Sequence, residues 1–335
     1  MAQRVARRPR RLADLGERGV LRAIERYLDP PSRGLLVAAP NDDAAVWRGD
    51  PLVVATTDTM VEETDFRLAW PGFDFRRLGR RLISINLSDL AAMGAEPRHA
   101  LVSLSLRGTL DLGAVRRLYQ GIAEQAHRFD CTIAGGDLSG TLGLLTLTAT
   151  LVGRIGARSA MLRRNGARPG WQVAVTGSLG GAAAGLRLLE SGRRPATEIE
   201  RRWVSAQLDP APRIAAGRAL VDSGVRVGGD ISDGLYREVE RLVERDRLGA
   251  TIDVERLPLA RGLRREQWSL AVKDSEDFEL VCAASAPRLL AAQRALQRLN
   301  LPLTVIGEIE RRPGIRLRGR SGNERLQGAG YEHFR

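Results

Sequence analysis

Apolar residues recur along the chain with two different periods, which together predict a protein that mixes helices with strands. Helices are predicted where apolar residues lie three or four positions apart, at Leu12–Leu28, Phe75–Met93, Leu112–Phe129, Ala211–Asp222, Leu235–Arg245 and Arg288–Leu299. Strands are predicted from short apolar runs at Leu35–Ala38, Leu52–Thr56, Leu101–Leu106, Cys131–Ala134, Leu144–Val152, Gln172–Thr176 and Val305–Ile309. Such a mixture is typical of an α/β (α+β) fold.

The segment between Gly153 and Gly170 marks the boundary between two predicted domains. It follows the predicted strand Leu144–Val152 and is rich in Gly, Arg and Pro, as connecting segments are. We therefore predict an N-terminal domain at residues 1–153 and a C-terminal domain at residues 154–335. A chain of 335 residues, of which 43% are hydrophobic, is long enough to bury two separate cores.

The charge of the chain fits a protein that acts on anionic compounds. Its formal net charge is +12, from 52 basic and 40 acidic residues. Lys273 is the only lysine, and the arginines are spread over the whole chain. Because no recognition module and no platform of aromatic and basic residues is visible, we predict no nucleic-acid partner.

The sequence shows neither a membrane-spanning segment nor a pattern of cysteines that binds zinc or forms disulfides. No apolar run approaches the roughly 20 residues that a membrane-spanning helix needs, so no membrane partner is predicted. Cys131 and Cys282 stand alone, which indicates neither a zinc site nor a disulfide framework. A reducing, cytoplasmic location is therefore expected.

Five segments place aspartates beside small residues near the predicted ends of strands and helices. They are Asn41–Ala45, Thr56–Thr59, Asn86–Asp89, Gly135–Asp137 and Gly229–Gly234. Carboxylates and hydroxyls are hard oxygen ligands suited to Mg²⁺, and a neighbouring glycine lets backbone amides approach a phosphate closely. If the five segments converge, the chain holds Mg²⁺ ions against a polyphosphate.

Each segment also has an ordinary structural interpretation. Asp-Gly and Gly-Asp pairs are common in turns, and Ser232 or Asp233 could cap the helix that follows. The Gly-rich stretch Val175–Gly181 could serve only close packing at the start of a helix. The functional interpretation rests on the recurrence of the pattern in one chain.

The motifs of the common kinase classes are missing from the sequence. A Walker loop needs Gly-Lys followed by Ser or Thr, and a protein kinase needs a lysine on its third strand. Lys273 lies outside any glycine-rich loop. The chain has no HExxH, GxSxG or GxGxxG motif either, which excludes the enzyme classes built on them.

Taken in order, the motifs resemble those of the thiamine-monophosphate kinase family, within the aminoimidazole-ribotide synthetase-like superfamily. The matching segments, from about residue 12 to the C-terminus, are Leu15–Glu17, Asp42–Asp43, Thr56–Thr59, Asn86–Ala95, Gly135–Asp137, Val175–Gly177, Asp230–Leu235, Glu276–Leu280, Ile306–Gly307 and Gly330–Phe334. Asn86–Ala95 and Asp230–Leu235 are the most specific of these.

The resemblance implies a two-domain aminoimidazole-ribotide synthetase-like fold whose N-terminal sheet forms a homodimer interface, with ATP near that junction. It implies that Mg²⁺ is held by Asp43, Thr56, Thr57, Asp58, Asp89, Asp137, Asp230 and Asp233. It also implies that ATP is contacted by Tyr119, Gly136, Arg164 and Ser232. The reaction implied is transfer of the γ-phosphoryl group of ATP to thiamine monophosphate. Because the acceptor phosphate is already ionised, no catalytic acid or base is assigned.

On the acceptor side the sequence departs from the family pattern. Asp65 stands where the family usually has a histidine, Asp274-Ser275 where it has Gly-Gly, and Gly328 where it has an aromatic contact. Together with Glu276, Asp65 and Gly328 are the candidate substrate residues. We hypothesise that Asp65 attracts the positive ring of the acceptor, or that Trp70 replaces the lost aromatic face.

Two alternative functions stay open from the sequence. One is a kinase of the same superfamily that acts on another small phosphorylated or heterocyclic metabolite. The other is a regulatory protein that binds a nucleotide without turnover. Acceptor-dependent release of ADP separates an enzyme from a regulator.

Overall fold

The computed structural model describes residues 11–30, 35–37, 46–47, 49, 52–157, 161–273, 275–320 and 322–324, which divide into two compact units. Unit 1 takes its described residues from Met1–Asp50, Ala55–Asn86 and Pro97–Val152. Unit 2 takes its described residues from Pro51–Val54, Leu87–Glu96 and Gly153–Arg335. The predicted boundary between residues 153 and 154 stays a prediction, because unit 2 also includes Pro51–Val54 and Leu87–Glu96, which precede that boundary in the sequence.

Helices and strands are interspersed along the described residues. The helices are α1 (Leu12–Ile24), α2 (Phe75–Met93), α3 (Leu112–Arg128), α4 (Gly181–Glu190), α5 (Glu198–Leu208), α6 (Ile214–Asp222), α7 (Leu235–Val243), α8 (Ser269–Val272) and α9 (Ala286–Gln297). The strands are β1 (Leu35–Val37), β2 (Val46–Trp47), β3 (Val53–Val61), β4 (Glu96–Arg107), β5 (Thr132–Thr141), β6 (Thr146–Arg154), β7 (Gln172–Thr176), β8 (Val227–Asp230), β9 (Gly249–Asp253), β10 (Leu280–Ala284), β11 (Leu303–Glu310), β12 (Gly314–Gly319) and β13 (Gly322–Glu324).

A four-stranded sheet in the order β3-β6-β4-β5 organises unit 1. Strands β4 and β5 are parallel. Along β6, Leu147, Ala149 and Leu151 are buried, whereas the threonines between them are half-buried. Since successive side chains of a strand point to opposite faces, one face of the sheet joins the core and the other is lined by small polar side chains.

A seven-stranded sheet organises unit 2, in the order β13-β12-β9-β11-β7-β10-β8. Its strands pair antiparallel except for β9 and β12, which are parallel. Alternate residues of β7 enter two different cores: Val173 and Val175 pack with α7, and Ala174 packs with α6 and α9. Because both faces of this central strand are covered, its sequence is a continuous apolar run rather than an alternating one.

The positions of α2 and β7 are predicted from the sequence to the residue, and each of the other predicted elements overlaps an observed one. The expectation that the Thr56–Thr59 and Gly135–Asp137 segments follow strands is wrong, because these segments lie inside β3 and β5. Threonines and an aspartate interrupt the apolar residues of β3, and glycines, an aspartate and hydroxyl residues follow those of β5, so the apolar runs are shorter than the strands. Among the described residues, no helix combines the length and apolar character needed to cross a membrane.

Replacement of Gly136 by alanine should destabilise unit 1. A Cβ at Gly136 on β5 would lie 1.7 Å from the carbonyl oxygen of Val102 on β4, so the paired strands would have to separate. Forced overpacking of this kind costs about 1–3 kcal/mol or more, and we expect the loss at the upper end of that range in urea unfolding. Gly140→Ala on the same strand is the control, because no described atom lies within 4 Å of its added Cβ. Equal unfolding free energies for the two variants would contradict this account.

Candidate active site

The aspartate motif of β3 is divided between the two faces of the unit 1 sheet. Thr57 donates its hydroxyl to the carbonyl of Ala149 at 3.1 Å and accepts from the Thr150 hydroxyl at 3.0 Å, on the exposed face. The side chains of Thr56 and Asp58 therefore share the opposite face. These two can serve one ion together through their side chains, whereas Thr57 can join them only through its backbone.

Asn86 of α2 fixes the position of this motif. Its side chain is fully buried, donates to the carbonyl of Leu82 at 3.0 Å and accepts from the backbone N–H of Asp58 at 3.1 Å. A backbone amide on a strand and a carbonyl one turn earlier in the helix are thus satisfied by one side chain. The asparagine of the Asn86–Asp89 motif therefore holds β3 against α2 rather than contacting a ligand.

Asp137, Gly136 and Tyr119 also lie in unit 1. Asp137 is exposed on β5 and accepts from the Ser139 hydroxyl at 2.8 Å. Tyr119 of α3 is only 4% exposed, and its burial, followed by the nearby negative charge of Asp137, raises the pKa of its hydroxyl. Gly136 is required by the close approach of β4. The nucleotide contacts expected of Tyr119 and Gly136 stay predictions, and both residues have a packing role besides.

In unit 2, a buried carboxylate forms the centre of a second group of predicted site residues. Asp230, the last residue of β8, is 1% exposed, and its Oδ2 accepts from the buried Ser88 hydroxyl at 2.8 Å. Its Oδ1 lies 3.5 Å from Nη2 of Arg164. Burial and then the negative charge of Asp89 raise the pKa of Asp230 to about 6. Three residues far apart in sequence, Asp89, Arg164 and Asp230, are thus brought together.

Asp233 and Ser232 lie in the turn between β8 and α7, where both are half-buried. Oδ2 of Asp233 lies 2.8 Å from Nη1 of Arg241, which lies in the last turn of α7. The residue at the N-cap of α7 is Gly234, and no side chain makes the capping hydrogen bond. The capping interpretation of Ser232 and Asp233 is therefore wrong, which leaves both side chains for another role.

The unit 2 group suits a divalent cation that is completed by a phosphate ligand. The carboxyl groups of Asp230, Asp233 and Glu238 pair with the guanidinium groups of Arg164 and Arg241, and the charge of Asp89 acts on Asp230. Oδ1 of Asp230 has no hydrogen-bond partner among the described residues. Within the same part of the chain, no three His, Cys, Asp or Glu side chains are arranged to hold a metal by themselves. Mg²⁺ commonly uses only one or two carboxylates together with water and substrate phosphates.

The convergence of all the predicted metal ligands stays a prediction. Asp43 lies outside the described residues. Asp58 and Asp137 belong to unit 1, whereas Asp89, Asp230 and Asp233 belong to unit 2. Of the described residues among them, Asp230 is the most deeply buried, and Asp89 lies near enough to raise its pKa.

The candidate substrate residues are engaged in local structure. Oδ2 of Asp65 accepts from the backbone N–H of Val61 at 2.7 Å and so closes the turn after β3. Oε2 of Glu276 accepts from the Gln207 side chain of α5 at 2.9 Å. Trp70 is 7% exposed, so the hypothesis that it offers an aromatic face to the acceptor is wrong. Gly328 and Asp274 lie outside the described residues.

The Gly-rich stretch before α4 is filled by the chain itself. The carboxylate of Asp277 accepts from the backbone N–H groups of Gly180 at 2.6 Å and Ala182 at 3.1 Å, at the N-terminus of α4. A carboxylate at this place satisfies the free amides of the helix start as a bound anion would. The Gly-rich stretch Val175–Gly181 therefore serves packing at the start of α4, and Asp277 of the Glu276–Leu280 motif provides the carboxylate that binds there.

Ser88, Glu238 and Arg241 are site residues that the sequence reasoning did not single out. Ser88 belongs to the Asn86–Asp89 motif, in which Asp89 is the predicted ligand, and nothing in the local sequence indicates a hydrogen bond from Ser88 to Asp230. Glu238 and Arg241 are three residues apart on α7 and therefore share a helix face. Their position in the helix that directly follows Asp233 is a signal in the sequence that points to them.

Comparison with known proteins identifies the class of protein to which these two groups of residues belong. Residues 41–155 match the family model described as AIR synthase related protein, N-terminal domain. Residues 168–320 match the family model described as AIR synthase related protein, C-terminal domain. The chain thus has the two-domain architecture of the AIR synthase-related proteins, in agreement with the predicted fold class.

More similar relatives narrow this class. The thiamine-monophosphate kinase of Bacillus subtilis (strain 168) is 30% identical over 88% of this chain and 92% of its own length. That of Synechococcus elongatus is 32% identical over 97% of this chain and 98% of its own length. The solved structure described as AaThiL complexed with AMPPCP and TMP has a TM-score of 0.74 at 27% identity, and covers 97% of this chain and 99% of its own. The chain belongs to the thiamine-monophosphate kinase family.

Titration of Asp277 should make the free energy of unfolding depend on pH. Burial raises the pKa of Asp277 from 3.8 to about 6. The folded state therefore binds this proton more tightly than the unfolded state does, which stabilises the fold while Asp277 is protonated. This stabilisation is fully present below pH 3.8 and is lost as the pH rises to 6, by up to about 1.4 kcal/mol per pH unit.

Asp277→Asn removes this titration. The unfolding free energy of the unchanged protein minus that of the variant, measured by urea denaturation, should therefore decrease as the pH rises from about 4 to about 6 and then level off. The subtraction cancels the titration of Asp230 and Glu238. A difference that is constant across this range would contradict the assignment.

Proposed function

We propose that this protein transfers the γ-phosphoryl group of ATP to the phosphate of thiamine monophosphate, giving thiamine diphosphate and ADP, with Mg²⁺ as the metal. The single structural observation that carries the proposal is the buried group at the end of β8, in which Asp230 lies beside Asp89, Ser88 and Arg164. Family membership extends over nearly the whole chain, so both domains needed for the reaction are present.

The substrates proposed for this chain follow those of its solved relative, which was crystallised with AMPPCP and TMP. A polyphosphate needs cations, and Arg164 offers a guanidinium that is 46% exposed and anchored to Asp230. The metal, when bound, neutralises charge on the phosphates and polarises the transferred group. Asp89 and Asp230 would hold it in unit 2, with Asp58 and Asp137 as the candidate ligands of unit 1.

No side chain needs to abstract a proton in this reaction. The terminal phosphate of the acceptor is largely ionised at neutral pH, since its second pKa is about 6. Catalysis therefore depends on positioning the two phosphates and on charge neutralisation. A site rich in aspartates and arginines, with Ser88 as a hydrogen-bond donor to Asp230, suits this chemistry.

We further propose a homodimer through the exposed face of the unit 1 sheet. Thr57, Thr59, Thr148 and Thr150 line this face, with the Thr59 and Thr148 hydroxyls 2.8 Å apart. Small β-branched side chains make a flat surface, and the other face of the sheet already contributes to the core. A second copy can cover such a surface without rearrangement of the strands.

The function is tested by following ADP release with Mg²⁺, ATP and different acceptors. We expect ADP with thiamine monophosphate and none with thiamine, which lacks the acceptor phosphate. Asp137→Asn should lower turnover by about 100-fold or more, because loss of a metal ligand removes several kcal/mol of charge stabilisation. Asp130→Asn is the control, since Asp130 lies in a turn with a φ of +53° that asparagine also adopts readily.

The outcomes of this experiment separate the alternatives. ADP release with another phosphorylated heterocycle but not with thiamine monophosphate would keep a kinase and discard the named acceptor. Nucleotide binding without ADP release for any acceptor would favour a regulatory protein. Equal turnover in the Asp137 and Asp130 variants would remove Asp137 from the site.

The homodimer is tested by sedimentation of Thr59→Arg at micromolar concentrations. An arginine on the exposed face of β3 would leave a charge buried without a partner in the dimer, so we expect the variant to sediment as a monomer. Thr109→Arg, in the exposed turn after β4, should leave the sedimentation unchanged. A monomeric unchanged protein, or a dimeric Thr59 variant, would contradict the proposed interface.

A further inference from the structure

Glu238 is a fully buried acid for which neither the predicted motifs nor the proposed reaction provides a role. It lies in the first turn of α7, directly after the turn that carries Asp230 and Asp233, and its side chain is 0% exposed. A buried carboxylate is costly unless charged or hydrogen-bonding groups surround it. Its partners therefore indicate why it is there.

Two arginines contact the two oxygens of Glu238. Its Oε1 accepts from Nη1 of Arg241, and its Oε2 lies 3.3 Å from Nη2 of Arg164. The same Nη1 of Arg241 lies 2.8 Å from Asp233, and the same Nη2 of Arg164 lies 3.5 Å from Asp230. The five side chains form a chain of alternating charge, with Glu238 in the middle and a predicted metal ligand at each end.

Gly229, in the strand beneath these five side chains, leaves room for Arg164. A Cβ at Gly229 of β8 would lie 3.3 Å from Nε of Arg164 and 3.9 Å from Oε2 of Glu238. The absence of a side chain at Gly229 lets the guanidinium lie close over the strand, next to Asp230. The arginine is thus held from below by the strand and from one side by Glu238.

Removal of the central charge would release both arginines at once. Among the residues that the structure describes, Arg164 would then keep Asp230 as its carboxylate partner, and Arg241 would keep Asp233. Each arginine would neutralise the carboxylate that the cation needs. With Glu238 in place, each guanidinium is shared between two carboxylates, so Asp230 and Asp233 keep more of their negative charge for a metal.

We propose that Glu238 is a positioning residue that holds Arg164 and Arg241 away from full pairing with Asp230 and Asp233, and so preserves the affinity of the site for a magnesium–nucleotide complex. The inference rests on the proposed function of Asp230 and Arg164. Glu238 itself contacts neither the nucleotide nor the metal.

Glu238→Gln tests the inference, because it keeps the shape of the side chain and removes its charge. Binding of AMPPCP in the presence of Mg²⁺ is measured by titration calorimetry, without an acceptor. We expect at least a tenfold weaker dissociation constant, a raised KM for ATP and an unchanged KM for thiamine monophosphate. Glu240→Gln is the matched control, since Glu240 lies on the same helix and pairs with Arg237 outside this network. It should bind AMPPCP within twofold of the unchanged protein.

A second variant separates positioning from simple stabilisation. Arg241→Gln removes the guanidinium that would neutralise Asp233, so we expect it to bind AMPPCP at least as tightly as the unchanged protein. In the double variant it should reduce the loss of affinity caused by Glu238→Gln, because the two residues act as one unit. Should Glu238→Gln fail to fold, a clear loss of affinity in Arg241→Gln would overturn the proposal. Affinity in a folded Glu238→Gln protein equal to that of the Glu240 control would overturn it too. Failure of thiamine monophosphate as an acceptor would reject the proposed substrate, while these binding measurements would still decide the role of Glu238.

Discussion

The burial of the Asp230 carboxylate at the end of β8 is the constraint on which the candidate site of unit 2 depends. A carboxylate that is 1% exposed must be compensated, and the compensation comes from three separate parts of the chain. Ser88 donates from α2, Arg164 approaches from the segment before β7, and Glu238 holds that arginine from α7. The compensation is incomplete within the protein, because an oxygen of Asp230 keeps no hydrogen bond among the described residues and the pKa of Asp230 is raised to about 6 by burial.

Patterns of apolar residues predict the fold where an element is either amphipathic or fully buried. Helix α2 has one apolar face and is predicted at its observed bounds, and β7 is a continuous apolar run because two cores cover it. Helix α5 is missed because only Val204, Gln207 and Leu208 are buried in it, which is too little for a periodic signal. The segment around Thr56–Thr59 is misplaced for a related reason, since one face of β3 carries threonines instead of apolar side chains.

The residues of the candidate site also divide into those that the sequence predicts and those that it does not. Its aspartates could be found from sequence because each is adjacent to small residues within a motif. The residues that hold them could not be found, since their roles depend on contacts between distant segments. Ser88 meets Asp230 across 142 positions, and no local period encodes such a contact. Glu238 resembles any acid in the first turn of a helix, where the helix dipole favours negative charge; its burial, visible only in three dimensions, separates it from that ordinary role.

The departures on the acceptor side have a structural explanation that does not require a new substrate. Asp65 closes a turn by accepting from the N–H of Val61, so its carboxylate serves the backbone, and Trp70 belongs to the core. Asp277 fills the N-terminus of α4, which removes the Gly-rich stretch as a rival phosphate site. Of the two groups of unit 2 considered for binding phosphate, the proposed function therefore rests on the one around Asp230 and Arg164. In the proposed function an acceptor that carries its own phosphate would be held through that phosphate and a shared cation, so recognition of its ring would contribute less to binding than it would for an uncharged acceptor.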